Sequence, residues 1–394
     1  MTHATVVTAA PTKEWSTSGT LDHALPRWLV VLVLVSMASV PLLRPAGPGN
    51  SAPVDLAVAA SVFAFIAVMV LQDRFPAIPY GGPVVLLIVG GALGGLLSST
   101  AGASVVAVAQ DLLLLLWCAA IATVARSHEG LRILGIGWVV SSIGWAAVLL
   151  FGIAAHNDFI TGVTAAESGR VAMWFGEPNL CAIYFTISLF VLWAMRWPRH
   201  VLLRAIAAIT ILIVIAYTGS NAAMLGCLAG LLSAVAIQIA RDHGTATLIA
   251  VAAGIGAVLV IVVPQLNISQ FLQDARTGSS LLANSVARAP GAQLDRTLLA
   301  SENLSLYRSR APIGVGAGGT KQLLADRQAP YVKEAHNDYM AAALERGVLG
   351  MVGLILLVSV IGWRCVQVSR RKTLPKLRAA VPAPQYLVGA IIAV

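Results

Sequence analysis

The chain is organised by long uninterrupted apolar runs, with no amphipathic alternation of the kind that surface helices or half-buried strands show. The runs fall at roughly 28–43, 54–71, 83–98, 103–124, 131–154, 179–195, 202–218, 221–240, 245–263 and 339–363. Most reach the ~20 residues that a helix needs to cross the hydrocarbon of a bilayer. A last run begins at Leu387 and meets the end of the sequence eight residues later. A helix that short cannot span ~30 Å, so the pattern predicts truncation there. The expected fold is an all-α polytopic membrane protein of about 11–12 transmembrane helices with one large extracytoplasmic loop. Its parts are a disordered cytoplasmic tail (1–27), helices over 28–263, a polar loop (264–338) carrying candidate active-site residues, and C-terminal helices over 339–394.

Composition agrees with the pattern. Of 394 residues, 58% are hydrophobic and only 11% charged, where a soluble domain carries about 25% charged. Mean hydropathy is +0.83. The tail lacks the short basic start of a secretory signal, and no convincing small-residue cleavage site follows the first run, which reads as a retained helix. The four cysteines lie in or beside apolar runs without metal-ligand spacing, as small buried hydrophobes do. Neither a disulfide, a zinc site nor any cofactor is expected.

Lysine and arginine placement sets the orientation. With the N-terminus inside, the inner loops hold Arg74, Arg126, Arg132, Arg196, Arg199, Arg204, Arg241 and the basic run from Arg364 to Arg378. The short outer loops hold Arg44 and Arg170, which satisfies the positive-inside rule. The expected location is a bacterial cytoplasmic membrane. The loop 264–338 then lies outside. Its excess of arginine and lysine fits either anionic lipid headgroups or an anionic substrate held at the membrane surface, and not nucleic acid.

Several outer segments could carry chemistry. Pro330 to Gly350 places His336, Asn337, Asp338 and Glu345 at the mouth of a membrane helix. Ionisable groups at such a depth are costly and usually functional, and an imidazole suits proton transfer near neutral pH. The plainer alternative is an N-cap by Asn337 or Asp338 with His336 at the interface. Upstream, Ala311 to Thr320 carries four glycines within six residues, including Gly314 and Gly316. That composition fits an anion-binding backbone, though without the Lys-Ser/Thr ending of a phosphate-binding loop a plain flexible turn explains it better.

Arg170 precedes a Gly176-Glu177-Pro178-Asn179 turn. Its planar fork suits a phosphate, or a lipid headgroup. Thr218-Gly219-Ser220-Asn221 forms a small polar hairpin at the same surface. His-Asn-Asp occurs twice, at 156–158 and 336–338; coincidence accounts for it better than a metal pair, and no metal is expected. Asp111 is the one clear acid inside a membrane run, and it either pairs with an arginine or lines a polar cavity, as a transporter would need.

Taken in order, these stretches resemble the O-antigen ligase and polymerase family (Wzy-C type) over roughly residues 165–355. The matching elements are Arg170 with the Glu177-Pro178-Asn179 turn, the Thr218–Asn221 hairpin, and Arg296 ahead of Pro312-Ile313-Gly314-Val315-Gly316. His336-Asn337-Asp338-Tyr339 with Glu345-Arg346-Gly347 completes the set. The chain departs from the family pattern at Asn221 and Ala300, where the family usually shows arginine and tryptophan.

The resemblance implies metal-independent transfer of a glycan from a polyprenyl-pyrophosphate carrier to the hydroxyl of a lipid, glycan or protein acceptor outside the membrane, in envelope polysaccharide or glycoconjugate assembly. His336 would be the general base. Arg170 and Arg296, with Arg308 and Arg310 in reserve, would offset leaving-group charge, assisted by Asn179, Ser220, Asn221, Gly314, Gly316 and Asn337. The alternatives are a polymerase of the same family and a membrane transporter or flippase.

Overall fold

The computed structural model describes residues 25–44, 52–98, 101–163, 170–262, 291–310, 312–327, 338–370 and 379–394, with the side chains of 255–262, 291–297 and 368–370 left undescribed. No strand occurs among the described residues. The apolar runs become α1 (Arg27–Ala38), α2 (Pro53–Leu71), α3 (Gly81–Leu96), α4 (Ala101–Val124), α5 (His128–Ala154), α7 (Pro178–Met195), α8 (Val201–Thr218), α9 (Asn221–His243) and α10 (Thr245–Val262). A short α6 (Asp158–Thr161) and a 3-10 turn (Met173–Phe175) lie between α5 and α7. Within the polar loop, α11 (Gly291–Arg310) and α12 (Thr320–Asp326) are helical; α13 (Asp338–Arg370) and α14 (Gln385–Ala393) follow. Among the described residues, seven helices are long and apolar enough to cross a membrane, and α1, α3 and the start of α10 are shorter apolar helices. The chain is a multi-pass membrane protein.

Exposure shows which surfaces lipid must cover. Val201, Leu202, Ile206 and Ile209 on α8 are exposed, as are Leu225, Leu228 and Leu232 on α9. In water such contiguous apolar surface would drive aggregation, whereas in a bilayer it is the outer wall. The α7 helix is the opposite case. Cys181, Phe185, Phe190 and Leu192 are fully buried, and this helix forms the axis of the main core with α5 and α8. Indole N–H groups join helices across the bundle: Trp117 to Ser36 Oγ (2.8 Å), Trp138 to Ser188 Oγ (3.0 Å) and Trp145 to the Ala38 carbonyl (2.7 Å). Polar contacts of this kind hold membrane helices together where hydrophobicity gives no preference for protein over lipid.

The α13 helix is not one continuous span. Gly347 adopts φ 62° and ψ −159°, which breaks the helix between Arg346 and Val348. The bond that would close over this glycine, Val348 N–H to Leu344 C=O, is replaced by two bonds to the glycine loop. Val348 N–H donates to Pro312 O (2.9 Å), and Val315 N–H donates to Leu344 O (2.8 Å). The loop reaches this position because Gly314, Gly316 and Gly318 hold φ of 90°, 91° and 71°, which side-chain-bearing residues rarely adopt. Behind the loop stands α3, antiparallel to α13, with a face of four glycines. A Cβ on Gly94 would lie 2.8 Å from Gly316 N, and one on Gly90 would overlap the Arg346 carbonyl.

The α14 segment packs on α9 and α7 through similarly bare backbone, Gly389 against Gly230. Ala383 N–H donates to Ala194 O (3.0 Å) at its start.

Adding side chains at the α3–α13 contact should be costly. Gly94→Val is expected to destabilise the protein by about 1–3 kcal/mol or more, as overpacking does. Gly144→Ala, which meets open space, should be neutral. Thermal unfolding in detergent measures both.

Candidate functional site

Two polar clusters stand out among the described residues. The first joins three segments. Arg170 is buried and its Nε–H donates to the Thr218 carbonyl (2.8 Å) at the C-terminus of α8. Its Nη2 donates to Asn179 Oδ1 (3.1 Å) in the first turn of α7. Ser220 Oγ donates to the same oxygen (3.0 Å) and also accepts the Ala223 N–H (3.4 Å), which caps α9. Asn179 Nδ2 donates in turn to Glu177 Oε1 (3.1 Å).

Asn179 is thus the hub on which Arg170, Ser220 and Glu177 converge. Pro178 at the first position of α7 needs no N–H partner and sets the helix start that aims Asn179 inward. Asn221 follows Ser220, and its buried Oδ1 has no hydrogen-bond partner. Arg44 lies over Gly176, whose φ of 74° leaves room for the guanidinium. Sequence reading placed Arg44 only as one of two outer-loop cations; nothing in its local sequence signals the contact with the Gly176 turn.

The second cluster surrounds the break in α13. Glu345 accepts the Gly318 N–H at Oε2 (3.0 Å) and the Thr320 hydroxyl at Oε1 (2.7 Å), so its carboxylate binds the end of the glycine loop. Arg346 points the other way. It donates to Asp111 Oδ2 (2.5 Å) and Oδ1 (3.2 Å) and to the Leu87 carbonyl (3.2 Å). The pair is mostly shielded, with side-chain exposures of 20% and 24%. This fork-to-carboxylate geometry ties α4 to α13, so that of the two readings of Asp111, an arginine partner or a cavity lining, the first is met by Arg346. The pair lines a cavity of about 550 Å³ between α3, α4 and α13, whose other walls are mostly apolar (Leu87, Leu115, Leu357) but include the acids Asp338 and Glu345. Arg346 stood in the sequence only as the middle of a Glu-x-Gly motif, and its role as the counter-ion of Asp111 is not readable there.

The remaining sequence candidates divide cleanly. Arg170, Asn179, Ser220 and Asn221 come together. Gly314 and Gly316 belong to the loop that clamps α13, where Gly314 N–H is engaged by Arg310 O (3.2 Å). Arg308 and Arg310 are exposed on the last turn of α11. Arg296 lies on the same helix with its side chain outside the described part, and His336 and Asn337 lie outside the described residues, directly before α13. The other His-Asn-Asp copy is a helix cap: Asn157 Oδ1 accepts the Ile160 N–H (3.2 Å) at the start of α6. No group of three or more potential metal ligands occurs among the described residues.

Residues 206–355 match the family model described as O-Antigen ligase (Wzy_C), so this stretch is similar to that family. No curated protein and no solved structure matches the chain. The matched stretch contains Thr218, Ser220, the glycine loop and Arg346, while their partners Arg170, Asn179 and Asp111 precede it. The site is therefore completed by helices outside the matched region.

The Asp111–Arg346 pair should behave as a unit. Asp111→Ala and Arg346→Ala alone each strand a shielded charge and are expected to cost about 3–5 kcal/mol. The double variant should cost clearly less than the sum, and a double-mutant cycle on thermal stability in detergent reads the coupling.

Proposed function

We propose that the protein transfers a glycan from a polyprenyl-pyrophosphate carrier to an acceptor hydroxyl at the outer surface of a bacterial cytoplasmic membrane. The observation that carries this reading is the Arg170–Asn179–Ser220 cluster, built from three segments. A buried guanidinium already oriented by Thr218 O and Asn179 is preorganised to offset negative charge on a departing pyrophosphate, with little reorganisation during reaction. Arg44 adds a second cation at the Gly176 turn. Arg296, Arg308 and Arg310 on α11 supply further positive charge for the carrier phosphates. The O-antigen ligase match over 206–355 supports the same chemistry.

In this reading His336 is the general base. It stands two residues before Asp338, the first residue of α13. It takes the proton of the acceptor hydroxyl as that oxygen attacks the anomeric carbon. The anomeric C–O bond breaks, and the polyprenyl pyrophosphate leaves with the bonding electron pair. Charge is offset by arginine, and no metal is required. A polymerase would use the same residues on a lipid-linked glycan acceptor. A transporter reading draws on Asp111, and its two-point pairing with Arg346 favours a structural role for that acid.

Glycan transfer measured in proteoliposomes with lipid-linked donor tests the assignment. His336→Ala is expected to lose about 10²–10⁴-fold in rate, the usual worth of a positioned base. Arg170→Ala should lose about 10²-fold or more, as removal of a preorganised charge-stabilising donor does. Chelator should leave the wild-type rate unchanged. A His336→Ala protein that keeps wild-type transfer would remove the base assignment.

A further inference from the structure

One motif singled out in the sequence is not used by the transfer chemistry: the first His-Asn-Asp, which continues into Phe159. The structure fixes this turn beside the segment that carries Arg170. His156 N–H donates to Ile153 O (3.2 Å) and Asn157 N–H to Gly152 O (2.9 Å), so the turn is welded to the end of α5. Ile160 packs into the space left by Gly152, and Asn157 caps the short α6. Ala172 N–H donates to Thr161 O (3.0 Å), which joins this turn to the segment that begins at Arg170.

The side chains so presented are of two kinds. His156, Asn157 and Asp158 are all exposed. Beside them Phe159 is 73% exposed, with its ring centroid 5.7 Å from that of Trp174 at an interplanar angle of 65°. Trp174 is half-buried and is itself held edge-to-face by Trp145 (5.7 Å, 87°), whose indole N–H is anchored on Ala38 O.

We infer that His156, Asn157, Asp158, Phe159 and Trp174 form a sugar-binding subsite that takes a neutral pyranose ring of the glycan whose phosphate end lies at Arg170. A pyranose has an apolar face of C–H groups, whose partial positive charge suits the negative face of an aromatic ring. Its rim carries hydroxyls, which planar amide, carboxylate and imidazole groups recognise as donors and acceptors together. An interfacial aromatic anchor needs only apolar area, whereas here the exposed ring is flanked by three polar side chains on a backbone held rigid from both ends. The turn carries no lysine or arginine, and its exposed Asp158 repels a phosphate, so it suits uncharged sugar.

The inference rests on the transfer reading for the identity of the glycan, and the test separates the two. Purified protein in detergent is examined by saturation-transfer-difference NMR with methyl α-glucopyranoside, galactopyranoside and mannopyranoside as probes, and with glycerophosphocholine as a lipid-headgroup probe. Saturation of the ring protons of at least one glycoside is expected, falling fivefold or more in Phe159→Leu and retained in Phe159→Trp. In the transfer assay Phe159→Leu should raise donor KM about tenfold with kcat within twofold, with melting unchanged. Glycoside signals that persist in Phe159→Leu, or a Phe159-dependent signal from glycerophosphocholine alone, would overturn the subsite. So would unchanged KM in an active Phe159→Leu enzyme. Glycoside binding that depends on Phe159 in a protein inactive toward every lipid-linked donor would support the subsite and defeat the transfer reading instead.

Discussion

A backbone polar group buried in protein cannot be left without a partner, and a helix that breaks at a buried position needs replacements from another part of the chain. The break at Gly347 meets this requirement with a pair of bonds to Pro312 and Val315. The remainder of the site follows from it. The glycine loop must approach α13 backbone to backbone, so it is built on left-handed glycines. The α3 helix must approach the loop equally closely, so its facing surface is glycine as well. Glu345 and Arg346, on the last turn before the break, are sent in opposite directions: one to secure the loop, the other to secure α4.

The helices were largely legible in the sequence because lipid imposes a single strong rule on their composition. Boundaries for α2, α7, α8 and α9 fall within a few residues of the apolar runs. The α1 helix ends at Ala38, short of the apolar limit at 43, and Pro41 explains the early stop, since a proline cannot continue the backbone ladder. The break in α13 was not legible. Gly347 directly follows the charged pair Glu345-Arg346 inside a run read as one helix over 339–363, and only the partner loop, distant in sequence, reveals why the chain opens there.

The candidate site divides along the same line. Arg170, Asn179 and Ser220 were recognisable individually by residue type and by the turns that hold them. Their convergence on one amide oxygen is a tertiary fact. The glycine loop was read as a possible cradle for a ligand, whereas its Val315 and Gly318 amides are spent on α13 and Glu345. Arg44 and Arg346 were invisible as site residues because their meaning lies entirely in what they touch. Asp111 is the complementary case: a lone acid in an apolar helix announces a partner without naming it.

The Asp111–Arg346 pair also has a consequence for biogenesis. Its members are separated by 235 positions, so α4 enters the membrane long before its counter-ion has been synthesised. An unpaired aspartate near the middle of a helix raises the cost of insertion by about 2.5–3.5 kcal/mol. The four-glycine face of α3 waits for the same late segment. The N-terminal helices thus wait for α13, and completing the ion pair and seating the glycine loop between α3 and α13 become one event in assembly.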